Sequence, residues 1–160
     1  MNTQEQQLLL NLVRQHRWAA LATCSVHQPE ASWVAYVLSP DAGSFLFHLS
    51  TLALHTRNLL ENPYASLAIS ESDPGHADPQ TLARVSIQGK VAAIGSDSAD
   101  YIDAVHCYQQ RLPDAALRFQ FSDFLLLRFV PARVRFVGGF ARAYNLDAIQ
   151  FQKILNAPAD

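Results

Sequence analysis

Between Trp18 and Val137, strand-length apolar runs follow one another across gaps mostly too short for a parallel crossover, and this spacing constrains the fold more than any other feature. A parallel neighbour needs a connection of about a dozen residues, whereas an antiparallel neighbour needs only a turn. The runs are Trp18 to Cys24, Ala31 to Leu38, Phe45 to Leu49, Tyr64 to Ser70, Thr81 to Ile94, Phe124 to Val130 and Arg133 to Val137. His27, Gln28, Pro29 and Glu30 read as a turn that makes the first two a hairpin, and Asp41, Ala42 and Gly43 supply the next turn. Gly89 inside a strand pattern marks a bend or bulge, and Pro131 divides the last two runs.

Helical spacing is confined to four segments. Leu8, Leu9, Leu12 and Val13 predict an amphipathic helix over Thr3 to His16. A second helix carries Leu59 and Leu60 and stops near Asn62 and Pro63. A third covers Asp97 to Arg111 with Tyr101, Ile102, Val105 and Tyr108 on one face, and a fourth closes the chain over Tyr144 to Leu155. Glu71 to Gln80 is the one long loop, and it reads as a surface excursion rather than a lid or interface arm. The expected fold is mainly β with peripheral helices (α+β), a small antiparallel barrel of six or more strands. At 160 residues, positions 1–160 fit one domain with a substantial core.

Composition narrows the partners. Twelve Lys+Arg against 14 Asp+Glu leave a net charge of -2, so nothing draws the whole molecule to a polyanion, and nucleic acid is not an expected partner. Only 16% of residues are charged, which points to surface hidden in a partner subunit. No run approaches the roughly 20 apolar residues of a membrane span, and the polar Asn2 to Gln7 lead does not resemble a signal peptide. Cys24 and Cys107 stand in no metal-binding spacing and read as reduced core thiols, so the cytoplasm is the expected compartment.

The chemistry-bearing stretch is Phe45 to Pro63, where Phe45, Phe47 and Leu49 alternate with Ser44, Leu46 and His48 before Ser50, Thr51, His55, Thr56 and Arg57 arrive at a helix start. Two readings fit. The free N–H groups and positive dipole end of a helix make an anion seat, with phosphate the commonest occupant. Equally, Ser50 or Thr51 is an ordinary N-cap, and His55 and Arg57 lie on a solvated face. The six histidines form neither HExxH nor a Cys/His cluster, so no metal site is expected. No nucleophile elbow or phosphate-binding GxxxxGK occurs, and no catalytic acid–base pair is identifiable.

Taken in order, WAALATC, the strand after Pro29, FHLSTLALHTRNLLENPYASLAI, ARVSIQGKVAAI and FVGGFARAY resemble the FMN-binding split-barrel family related to pyridoxamine 5′-phosphate oxidase. The ending is similar to the GGFGRA segment of the haem-utilisation branch. The resemblance implies a Greek-key split β-barrel, a homodimer, and FMN laid between the two subunits. It places Ser32, Trp33, Val34 and Ala35 along the flavin, Ser50, His55 and Thr56 at its phosphate, and Arg57 and Arg84 as supporting cations. The oxidase pattern has an Arg-Lys pair where this chain has Leu54 and His55, and an arginine where it has Ser32. The substrate-phosphate arginine of the vitamin-B6 enzyme has no counterpart here. Haem-degrading relatives hold iron by a histidine near the chain's end, whereas the last histidine here is His106, which argues against haem oxygenase activity. The resulting expectation is an FMN-dependent oxidoreductase acting on a small molecule, with a haem- or flavin-binding protein, or a haem-degrading enzyme, as the alternative.

Overall fold

The computed structural model describes residues 1–158; the last two positions of the expected 1–160 domain lie outside the described residues. Helix α1 (Thr3–Gln15) opens on a reciprocal capping box, with Asn2 accepting from the Glu5 amide and Glu5 accepting from the Asn2 amide. There follow β1 (Trp18–Ser25), β2 (Gln28–Ala35), β3 (Val37–Leu38), β4 (Phe45–Ser50), α2 (Leu54–Glu61), β5 (Tyr64–Ser70) and β6 (Arg84–Ala93). Helix α3 (Tyr101–Arg111), a 3-10 segment (Pro113–Gln120), β7 (Phe124–Val137), β8 (Ala143–Asp147) and α4 (Ala148–Leu155) complete the chain.

All eight strands join one antiparallel sheet in the order β2-β1-β5-β6-β7-β4-β3, with β8 also on β7. The antiparallel split-barrel expectation holds. Several boundaries differ from the sequence reading: the strand expected from Thr81 pairs only from Arg84, after a 3-10 turn over Pro79–Thr81, the run Ala31 to Leu38 breaks at Tyr36 into β2 and β3, and four others have a local reason. The first hairpin turns at Val26 and His27, so Pro29 and Glu30 belong to β2, and Val26 takes a positive φ of 55°. Pro131 does not divide β7. One edge of that strand changes partner there, from β4 over Phe124–Phe129 to β8 over Arg133–Val137, so the missing proline N–H falls between two ladders. The closing helix begins only at Ala148, because Ala143–Asp147 pairs as β8 and Asp147 then caps α4. Helix α3 likewise starts at Tyr101, after a turn at Ser98.

The irregularity expected at Gly89 lies opposite it: the β6–β7 register shifts between Gln88, paired with Arg133, and Gly89, paired with Pro131, so the extra residue is Ala132 of β7. The main core lies on one face of the sheet, where Leu9, Leu10 and Val13 of α1 and Phe151 and Leu155 of α4 meet Phe45, Phe47, Phe129 and Phe136. Strand β4 is buried on both faces, unlike the alternating pattern its sequence implied. Its Phe45 and Phe47 enter the main core, while Leu46 enters a second cluster with Tyr108, Ala115 and Leu126 under α3 and the 3-10 segment. The opposite face of β1, β2, β5, β6, β8 and the second half of β7 carries none of the helices' buried residues.

Candidate functional site

The β4–α2 corner brings Ser50, His55, Thr56 and Arg57 together, but their chemistry does not suit a phosphate. The N-cap of α2 is Ala53, with no side-chain cap, so neither Ser50 nor Thr51 caps the helix. Ser50 instead donates its hydroxyl to Asp123 Oδ2 at 2.6 Å and accepts from the Leu52 amide at 3.1 Å. A carboxylate therefore stands where an anion would approach, and like charges repel. Burial pushes the His55 pKa down, against the opposing pull of Glu30, which favours the neutral ring. Thr56 is fully buried and its Oγ1 has no partner, while Arg57 is exposed. An FMN phosphate would meet one free cation and one carboxylate at this corner.

The remaining expected contacts are spread across the sheet. On β2, Ser32 donates to the Leu21 carbonyl at 3.5 Å and Val34 is in the core, while Ala35 pairs with Trp18 across the β1–β2 ladder. Trp33 is 60% exposed and stacks on Trp18, with ring centroids 6.1 Å apart and planes within 9°. Arg84 stands on β6, separated from β2 by β1 and β5, and its Nη1 donates back to the carbonyls of Gln80 and Leu82.

The uncovered sheet face carries a second set of residues. Two hollows lie side by side on it and share Gln88 and Arg133. The larger, about 680 Å³, is lined by Tyr64, Lys90, Val130, Pro131 and Ala132 among others, a volume within the usual range for a small-molecule site. The other, about 530 Å³, is bordered by Ser86, Arg135, Asn145 and Asp147, and Arg135 donates to Asn145 Oδ1 at 3.1 Å. Lys90 places its ammonium 4.8 Å from the centre of the Tyr64 ring. Arg84, Lys90, Arg133 and Arg135 make this face locally cationic on a chain of net charge -2. The signal for these residues was their two-residue spacing: Arg84, Ser86, Gln88 and Lys90 on one strand and Arg133 and Arg135 on the next point to one side.

The chain is 33% identical over 125 residues to HOZ, a chloroplastic haem oxygenase of Arabidopsis thaliana, covering 78% of this chain and 36% of that protein. It is 26% identical over 121 residues to the haem oxygenase HutZ of Vibrio cholerae, covering 75% of this chain and 68% of HutZ. Among solved structures, a haem-binding protein from Mycobacterium smegmatis superposes with a TM-score of 0.82 at 25% identity, covering 96% of this chain and 62% of that one. The chain thus spans about a third of the plant relative's length and about two thirds of the others'. No helix of the described residues is long and apolar enough to cross a membrane. The model of the CREG β-barrel family matches residues 9–153, nearly the whole fold described above, and the chain belongs to that family.

Proposed function

We propose that this chain binds haem on the uncovered face of its sheet, and that haem handling rather than FMN-dependent oxidoreduction is its role. The observation that carries the reading is the larger hollow. Its floor of Ala65, Val130, Pro131 and Ala132 suits an apolar macrocycle, and its rim cations Lys90 and Arg133 suit two carboxylates. These are the two halves of haem's own chemistry. The similarity to two haem oxygenases and to the haem-binding protein of Mycobacterium smegmatis supports the same ligand. The carboxylate of Asp123 at the β4–α2 corner weighs against a flavin phosphate. Free Cys24 and Cys107 suit a reducing compartment such as the cytoplasm.

Haem and FMN titrated in parallel into the purified protein test the proposal. A Soret band that saturates with haem at micromolar concentration, without saturable FMN fluorescence quenching, is the expected result. Saturable FMN binding with no haem uptake overturns it. Added reductant extends the experiment: stoichiometric Soret loss with release of chelatable iron would make the role degradation rather than holding. Flavin binding is the second reading, favoured by the unpartnered hydroxyl of Thr56 on the buried side of α2.

A further inference from the structure

We propose that the phenol oxygen of Tyr64 is this chain's ligand to the iron of bound ferric haem, with Lys90 and Arg133 on the carboxylates. The inference rests on the haem reading above and adds the iron contact to it. Proteins hold haem iron through histidine, cysteine, methionine or tyrosine. No histidine, cysteine or methionine lines either hollow on the sheet face, and Tyr64 is the one side chain of that set in them.

The histidines are committed or placed elsewhere. His16 Nδ1 contacts the Leu12 carbonyl at the end of α1, and His106 Nε2 contacts Gln110 Nε2 on α3. His48 is buried beneath the 3-10 segment, and His55 is half-buried on α2. His27 stands in the first hairpin turn and His76 in the long loop before β6. Tyr64 differs: the residue is 60% exposed, and its hydroxyl makes no hydrogen bond among the described residues. Its backbone is fixed, since the Tyr64 amide donates to Asn62 Oδ1 and the residue pairs with Lys90 across the β5–β6 ladder. The Lys90 ammonium lies over the face of the Tyr64 ring, 4.8 Å from its centre, which holds the ring beside the hollow. Ligation moves the phenol proton to water and places an oxygen lone pair on the iron, with no change of oxidation state.

The test uses the full chain loaded with ferric haem, followed by optical, electron paramagnetic resonance and resonance Raman spectra. The wild type is expected to give a high-spin ferric signal with phenolate ring modes enhanced on excitation into the charge-transfer band. Tyr64→Phe should remove those modes, shift the Soret band and weaken haem binding by at least about tenfold, the lower end of what disturbing a metal ligand's surroundings costs. Tyr64→His should restore affinity with an imidazole-type spectrum, which a residue acting only through packing would not do. Identical spectra for the wild type and Tyr64→Phe, with haem still bound, overturn the ligand assignment and leave the haem reading standing. A wild type that takes up no haem overturns both.

Discussion

His48 shows how closely charge and packing are coupled at single positions in this fold. Its ring lies flat on Phe119, centroids 3.7 Å apart and planes within 4°, with Tyr108 and Phe124 at its edges. The residue is 7% exposed and its Nδ1 is buried without a partner. Burial, and secondarily the nearby Arg118 cation, push its pKa down to about 4 from an ordinary 6.5. The unfolded chain therefore takes up this proton at a higher pH than the folded one does. The stability His48 allows is fully present above pH 6.5 and declines as pH falls from 6.5 to about 4, by up to about 3 kcal/mol. Urea unfolding at a series of pH values should show that decline in the wild type and a shallower one in His48→Leu. The variant should lose little stability at pH 7, because an apolar group replaces an unpartnered buried nitrogen. Equal slopes for the two proteins would contradict the assignment.

At the scale of elements, the β6–β7 pair sets the shape of the face that carries the site. The bulge opposite Gly89 interrupts the longest ladder beside the larger hollow, and the backbones approach so closely there that a Cβ on Gly89 would lie 2.2 Å from the Val130 carbonyl oxygen. Gly89→Ala must therefore move backbone rather than a side-chain tip, and it should cost about 2–3 kcal/mol in urea unfolding. A cost near zero would mean that the ladder yields freely. Gly89 was legible in the sequence because glycine within a strand pattern carries that meaning. The same local grammar gave α1, the antiparallel pairing and the strands as far as β7, but it read β8 as the start of the closing helix. It failed at Pro131, because a strand that changes partner along one edge leaves proline's missing N–H without cost, which is a property of the sheet rather than of the residue. It failed again at β4, whose second buried face exists only because α3 and the 3-10 segment fold back over it. The candidate site was legible only as a row of alternating polar residues. Ser50 looked like a cap until Asp123, distant in sequence, was seen to take its hydroxyl.

For the whole molecule, the uncovered sheet face leads to an expectation about assembly. Trp18 and Trp33 stack there while 54% and 60% exposed, beside exposed Ala22, Ala31 and Ala68 from the same face of neighbouring strands. Contiguous apolar surface of this kind rarely stays bare on a monomer. Small side chains let a second backbone approach, and aromatic residues are enriched at such contacts. A second copy of the chain placing its own Trp18–Trp33 pair against this surface would satisfy both in a two-fold arrangement, in which the same patch serves both partners. Light scattering at micromolar concentration is expected to report about twice 17.7 kDa. Trp33→Glu places a charge in the middle of that patch without entering the core, so the variant should keep its circular dichroism spectrum and fall to the mass of one chain. A wild type of 17.7 kDa throughout the micromolar range, or a Trp33→Glu variant as large as the wild type, would remove this face from any account of self-association.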